Sequence, residues 1–587
     1  VAVGSQSTAF NKFNKGLTML KKRFVHLLCL AMLVAFMGSS ASLRVEAQAA
    51  KTLLLPNPIG AGDVTTIDPA LVTDFMSAQI TSETFYTLVR GKEDDLNKIQ
   101  PGMAEKWTLS PDGLTYTFTI RKGIPWVTWD GKQVAQVKGT DGQPLYVTAH
   151  DFEYGIKRVL DPVTASGYAY TFTSLIKGAA DFNGSKATGA ALSTLRDAVG
   201  VKASDDTTLV ITLAQPAGYA LNILSITNAG AQPQAVIEKN GAKWTDPGTA
   251  ISYGPFVVSE WKHDASITLT KNPFWPGFDA SPQPKLDRVT FLLIDQTTAF
   301  NNYQAGTIDV ASAPVTDLDR VKADPVLSKE LNVSAVLNSA YYGFTVTKAP
   351  FDDVRMRLAF SYAIDRQAII DNVTKGGIAA RWFSRPGIAA APSLENSPDL
   401  GISYDPTKAK AMLKSYLDEK KLTVDQLPPI TLLLYKNDTV SKVAEAIQQM
   451  WQETLGVNVQ ITTQDFSVFI KTVQNDPPQV YALGWSADYA DANNFVREVF
   501  RSDSGNNFTH WKNATFDKLV DDAARETDVD KRTELYRQAE DILVLKDAVI
   551  APLYWGTRFI LTKPYVQRTF SQTNGDERLE KWDVTAH

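Results

Sequence analysis

Cysteine is almost missing from this chain: of 587 residues only one, Cys29, is a cysteine. It lies in an apolar stretch near the start, so the remainder has no disulfide and no thiolate nucleophile or metal ligand. Histidine is scarce too. His26, His150, His263, His510 and His587 are scattered, and no metal-ligand spacing emerges from them. His150-Asp151-Phe152-Glu153 reads as the start of a helix rather than as a metal cluster. Neither sign of charge dominates. The 59 basic and 64 acidic residues are interspersed and leave a net charge of −5. With no basic face in view, nucleic acid is not an expected partner. The P-loop, the G-x-S-x-G elbow and the dinucleotide fingerprint are all absent, so no cofactor is expected. Carboxylates are plentiful, which leaves a glycosidase-type pair open, but nothing in the sequence selects one. Beyond residue 49 no apolar run is long enough for a membrane span, and there is no internal repeat.

What is present is the composition of a folded protein. An apolar fraction of 44% with 21% charged residues is ordinary for a globular chain, and the length allows two or more domains. The start carries an export signal: Lys21-Lys22-Arg23, an apolar run over 24–37, and Ala47-Gln48-Ala49 as a small-x-small cleavage site. Residues 1–18 read as an extension upstream of Met19. Cys29 follows the charges too closely to be a lipid-anchoring cysteine. The expectation is a soluble protein, periplasmic or extracellular, released by a cleavable signal peptide. The lack of an anchor favours a periplasm.

The pattern along the rest is α/β. Residues 52–55 read as a strand and 71–88 as a helix. Leu114, Tyr116, Phe118 and Ile120 alternate with polar residues after the Pro111-Asp112-Gly113 turn, the signature of a half-buried strand. Residues 206–213 form a second alternating strand; Tyr253-Gly254-Pro255 starts another, with which 266–269 pairs as a hairpin. Strand 289–294, helix 297–304 and strand 308–310 follow, an order that suggests parallel pairing. Further on, Asp353 and Asp365 suit helix starts, and Gly456 ends a helix over 443–455 between strands at 431–434 and 457–461. Residues 516–545 read as two amphipathic helices.

The segment with most chemical content is Gly484-Trp485-Ser486-Ala487-Asp488-Tyr489, at the end of the apolar run 480–483. An aromatic beside a carboxylate at a strand end suits a ligand with an apolar body and a positive charge; the plainer reading is a core Trp followed by a turn-forming Asp. Trp126, Trp129, Trp275 and Trp555 also sit beside turns. Each suits a core, but gathered at a cleft they would supply sequence-tolerant apolar contacts.

Many segments, in order, resemble the extracytoplasmic solute-binding proteins of peptide-type ABC importers, the oligopeptide- and dipeptide-binding group. They begin with Ile67-Asp68-Pro69-Ala70, Pro101-Gly102-Met103-Ala104-Glu105-Lys106-Trp107 and Trp129-Asp130-Gly131. Val147-Thr148-Ala149-His150-Asp151-Phe152 continues that last motif after an inserted loop over 135–146. Gly254-Pro255-Phe256, Lys271-Asn272-Pro273-Phe274-Trp275, Gly306-Thr307-Ile308-Asp309, Pro350-Phe351-Asp352-Asp353-Val354-Arg355 and Ala363-Ile364-Asp365-Arg366 follow. The stretch 507–519 completes a match that runs from about Leu53 to Val566.

The resemblance implies a two-lobed α/β periplasmic binding-protein fold with mixed sheets, a hinge and an extra subdomain. Lobe I would comprise 51–89, 199–336 and 555–587, the subdomain 90–198, and lobe II 337–554. The hinge strands would pass near Tyr341-Tyr342 and Leu553-Tyr554-Trp555. By the same resemblance Asp488 would pair with a peptide's α-amino group. Gly484, Trp485, Ser486 and Ala487 would offer backbone to an extended ligand, Val64 and Thr65 would do so from the facing lobe, and Tyr554 and Trp555 would line the cleft. Some relatives hold the peptide's carboxyl end with arginines just before the Gly-Trp segment. Residues 477–483 contain none, which leaves Lys471, Arg381 and Arg385 as substitutes and peptide length open. The resemblance thus implies a binding protein and not an enzyme, monomeric, that delivers a peptide to a membrane permease. An oligosaccharide or metal chelate as ligand, or a secreted hydrolase, are the alternatives.

Overall fold

The computed structural model describes residues 50–57, 62–96, 98–246, 248–572 and 576–585. The segment expected to be an export signal, 1–49, lies outside the described residues. Within 51–587 the chain forms an α/β fold with several sheets.

A four-stranded mixed sheet begins with Thr52–Pro56, which pairs in parallel with Arg288–Leu292. That strand continues antiparallel into the hairpin Phe256–Lys262 and Ser266–Lys271. Leu53, Leu55, Val289 and Phe291 alternate inward from these strands and share a core with Met76, Ile80, Leu579 and Trp582. The expected parallel pairing of 289–294 with 308–310 is not made. Val310–Ser312 instead joins Ile550–Thr562 in another sheet, because the intervening helix Gln296–Gln304 carries the chain off the first one.

A second antiparallel sheet contains Ala104–Leu109, Thr115–Ile120, Thr208–Thr212 and Val201–Asp205. The strands over 201–212, expected in lobe I, thus pair with strands of the 90–198 subdomain. Cross-strand pairing decides the grouping here, since Phe118 opposes Leu209 and Tyr116 opposes Ile211 inside one core. The helix Ala149–Leu160 packs in that core through Phe152 and Ile156. It begins with a capping box, Asp151 accepting from the Thr148 N–H at 2.8 Å, which is the local role of the His150-Asp151 segment.

The largest sheet has seven strands. Leu331–Phe344 and Ile550–Thr562 lie side by side at its centre, flanked by Val480–Ser486, Ile430–Tyr435 and Val459–Gln464. Two helical layers with separate cores cover it. One core holds Tyr342, Phe360, Ile447 and Trp451, the other Tyr341, Phe383, Phe495 and Phe500. The neighbours Tyr341 and Tyr342 enter different cores because successive strand residues face opposite ways. Pairing between the two long strands is broken between Ala335 and Ser339. There the Asn338 side chain accepts from the Gly556 N–H at 3.0 Å. A Cβ at position 556 would come within 2.1 Å of Asn338 Oδ1, so only glycine allows this approach.

Candidate ligand-binding site

The strand Val480–Ser486 is the spine of the site. One edge pairs with Leu331–Phe344 over its whole length, from Phe344↔Val480 to Asn338↔Ser486. The other meets Ile430–Tyr435 only at Val480 and Tyr481. Past Tyr481 that edge has no strand partner among the described residues. Backbone groups of an antiparallel ladder point alternately to its two edges. Bonds from Thr345 N–H to Gln479 O (3.0 Å) and from Ala487 N–H to Leu337 O (2.8 Å) set the phase: odd-numbered residues face inward. Ala482, Gly484 and Ser486 therefore turn their N–H and C=O groups away from Leu331–Phe344, and of these Gly484 and Ser486 lie wholly past the pairing with Ile430–Tyr435. Of the four residues expected to offer backbone, Gly484 and Ser486 are so placed, whereas Trp485 and Ala487 are engaged within the sheet. A groove of about 780 Å³, mouth included, runs beside the edge and is walled by Tyr435, Phe466, Trp485 and Tyr554.

Asp488 follows directly. Its carboxylate accepts from Tyr168 Oη at 2.8 Å, Tyr170 Oη at 2.5 Å and Asn494 Nδ2 at 2.9 Å. All three donors are neutral, and no ion pair reaches Asp488 among the described residues. Burial, then the adjoining Asp488 charge, pushes both phenols far above the usual tyrosine range, so they stay protonated donors. Asn494 is a hub. Its fully buried side chain also accepts from the Asp488 N–H and from Trp485 Nε1, each at 3.0 Å. The helix Ala492–Phe500 places it there, and Asp491 caps that helix by accepting from the Asn493 N–H.

Asp488 opens onto a cavity of about 990 Å³, mouth included, whose apolar wall includes Phe75, Leu96 and Ile99. Arg90, Asp576 and Arg578 line another side, with Arg90 and Arg578 both bonded to the Asp576 carboxylate. Thr65 reaches this cavity indirectly: its hydroxyl donates at 2.5 Å to Asp74, which lines it. Val64 is buried in the core shared with Leu53 and Leu55, and its N–H donates to the Asp63 carboxylate at 2.8 Å.

Two expectations are corrected. Tyr554 lines the groove, but the Trp555 ring does not. Trp555 is fully buried against Trp382, with Nε1 donating to Phe383 O at 3.3 Å. Adjacent strand residues face opposite sides, so the pair 554–555 sends one ring to the groove and the other to the core. Trp126 and Trp275 are core residues as well. Neither Arg385 nor Lys471 meets the groove. The Arg385 guanidinium is buried, donates to Gly556 O at 2.8 Å, and has its pKa lowered to about 10 by desolvation. Lys471 is exposed on the helix Phe466–Asn475. Arg381 is half-buried, and its carbonyl accepts from the Ile402 N–H.

A mixed α/β protein with an open strand edge ending at a carboxylate that has no ion pair among the described residues is suited to holding a solute. The chain belongs to the bacterial extracellular solute-binding proteins of family 5, whose middle-region model matches residues 98–507. It is 35% identical over 502 residues to the oligopeptide-binding protein OppA of Bacillus subtilis, covering 84% of this chain and 85% of that one. It is 32% identical to the probable deoxycholate-binding periplasmic protein YgiS of Escherichia coli, covering 90% and 94%. Among solved structures, Haemophilus influenzae OppA in complex with RPPGFSPFR superposes with a TM-score of 0.70 at 25% identity, covering 91% of this chain and 99% of that one.

Proposed function

We propose that this protein is the extracytoplasmic receptor of an ABC importer, that it captures oligopeptides between its lobes, and that it hands them to a membrane permease. The observation that carries the reading is the continuity of two features. Along the chain the open edge at Gly484 and Ser486 leads within two residues to Asp488, a carboxylate with neutral donors only. An extended peptide added to that edge gains main-chain hydrogen bonds whatever its side chains are, and its α-ammonium supplies the counter-charge that Asp488 lacks. Tyr168 and Tyr170 come from the 90–198 subdomain and Asp488 from 337–554, so these bonds join the two sides of the cleft and favour a closed arrangement.

In this reading the lobes are 51–89, 199–336 and 555–587 for lobe I and 337–554 for lobe II, with the strands of 201–212 added to the subdomain. Two cores support the division, that of Leu53, Val289 and Trp582 lying within lobe I and that of Tyr342, Phe360 and Trp451 within lobe II, whereas a third joins Tyr86 and Trp275 of lobe I to the subdomain. The hinge is carried by the two paired long strands near Tyr341-Tyr342 and Leu553-Tyr554-Trp555, beside the interruption at Asn338 and Gly556. The receptor is monomeric, performs no chemistry on its ligand, and is exported to the periplasm or cell exterior. The name of the Escherichia coli relative supports a second reading, in which the solute is not a peptide.

Calorimetry with one peptide series, free and N-acetylated, tests the first reading. Asp488→Ala should weaken binding of free peptides by about 2–5 kcal/mol and leave acetylated ones alone. Equal affinity of the unaltered protein for both forms would refute the amine role of Asp488.

A further inference from the structure

A second chamber lies away from the Asp488 cavity, inside the core of the Thr52–Pro56 sheet. It holds about 1020 Å³ of empty space, mouth included, and its apolar lining includes Leu55, Phe291, Val310, Ile560, Leu579 and Trp582. The residues 576–578 and the helix Phe75–Thr84 separate the two spaces. Asp576 and Arg578 line the first, and Glu577 between them lines the second. Likewise Phe75, Ala78 and Ser82 line the first, whereas Gln79 lines the second. Gln79 and Glu577 tie this wall together, their side-chain and main-chain groups exchanging bonds of 2.7 and 2.8 Å.

The charge in this chamber does not balance. Among the described residues three charged side chains line it: Arg558, Arg568 and Glu577. The single Glu577 carboxylate faces both guanidinium groups, Arg558 at 2.7 Å and Arg568 at 2.9 Å, which leaves one positive charge in excess. Arg568 is almost fully enclosed, lying 4.1 Å from the Trp582 ring centroid and 4.4 Å from that of Phe570. Desolvation lowers its pKa, so keeping the charge here is costly. A surplus guanidinium beside a dry, aliphatic and aromatic space is the arrangement that an anion attached to an apolar body would complete. Its acidic end would meet the arginine pair and its body would displace water from the chamber.

We infer that this chamber is a second ligand site, selective for a carboxylate carried on an apolar body. The carboxylate has two sources, a free amphiphile or the carboxyl end of a cleft-bound peptide that reaches around the shared wall.

Calorimetry on the full-length protein tests this with decanoate, decanol and decylamine as probes. Decanoate should bind at one site, decanol about tenfold to a hundredfold more weakly, and decylamine more weakly still. Arg568→Gln should remove the preference for decanoate over decanol. Val336→Phe keeps both arginines but narrows the chamber, and should abolish binding of both. Asp488→Ala, which alters only the first cavity, should leave decanoate binding unchanged. Equal binding of decanoate and decylamine, or decanoate binding that survives both chamber variants, would overturn the inference, as would its loss in Asp488→Ala. Competition separates the sources. A peptide that displaces decanoate while its C-terminal amide does not assigns the carboxylate to the peptide; no displacement by either assigns it to a free amphiphile.

Discussion

Asp488 and Asp491 are three residues apart on one turn, yet their surroundings differ completely. Asp491 is fully buried, and Arg532 donates to it at 2.7 Å with both side chains nearly inaccessible. Its charge is neutralised within the fold, and it also caps the helix that carries Asn494. Asp488 is only half-buried, opens onto a cavity, and receives neutral donors alone. A carboxylate that the protein itself pairs is a structural element. One that the protein solvates with hydroxyls and an amide but leaves electrically unpaired fits the proposed role of meeting a cation from outside. Asp68, from the opening motif of the family, belongs with Asp491. Arg158 grips both its oxygens at 2.7 Å and Trp244 Nε1 adds a third bond at 2.8 Å.

Breaking the paired acid should have the largest effect. Arg532→Met leaves Asp491 charged and buried, and should lower the unfolding free energy by about 3–5 kcal/mol in urea titration. A loss below about 1 kcal/mol would mean that Asp491 is not held by this pair. Asp488→Asn should do the opposite. Stability should shift by no more than about 1 kcal/mol, while affinity for free-amino peptides falls by at least about 2 kcal/mol. If Asp488→Asn unfolds the protein as readily as Arg532→Met, the distinction between the two acids fails.

Tyr168→Phe and Tyr170→Phe remove one neutral donor each, and each should cost about 0.5–1.5 kcal/mol of peptide affinity. Small-angle scattering should show a more open ligand-free state in the double variant, and an unchanged scattering profile would argue against these bonds holding the cleft shut.

A third arrangement of acids extends the comparison to pH. Glu83 is fully buried near Glu580, and its pKa is pushed well up, first by burial and then by the Glu580 charge. Below the unfolded value of about 4.3 the carboxyl is protonated in both states and contributes nothing to the pH dependence. As pH rises toward the raised folded value, the unfolded chain releases its proton while the fold retains it, so stability falls. Glu83→Gln keeps an acceptor for the Leu579 N–H and should stabilise the protein at about pH 8 but not at about pH 4. An equal effect at both pH values would show that ionisation is not its origin.

Much of this was legible in the sequence because local rules operate locally. Asp353 and Asp365 cap the helices they precede, Gly456 takes the left-handed turn that ends Asp438–Leu455, and 254–269 forms a hairpin. Trp485 and Asp488 stood out because an aromatic and a carboxylate close one strand. Tyr168 and Tyr170 lie some 320 residues upstream of Asp488, where no spacing rule operates. Asn494 carried a weak signal, being one of two asparagines just inside a helix start, where a side chain turns back toward the preceding loop. Trp555 faces the core because the strand period forbids two adjacent rings from sharing a face, and Tyr554 takes the groove side. The parallel pairing expected of 289–294 and 308–310 overlooked that consecutive elements can enter different sheets.

The open edge past Tyr481 also bears on how crowded a solution of this protein can be. A bare strand edge invites neighbouring molecules to add their own strands and so begin aggregation. Here the edge lies in a groove walled by the rings of Tyr435, Phe466, Trp485 and Tyr554. In the proposed reading a single extended chain adds to it, whereas those rings would hinder a strand already embedded in another molecule's sheet. An edge so walled would admit small unfolded pieces of protein more readily than folded ones, and copies would then accumulate without seeding one another.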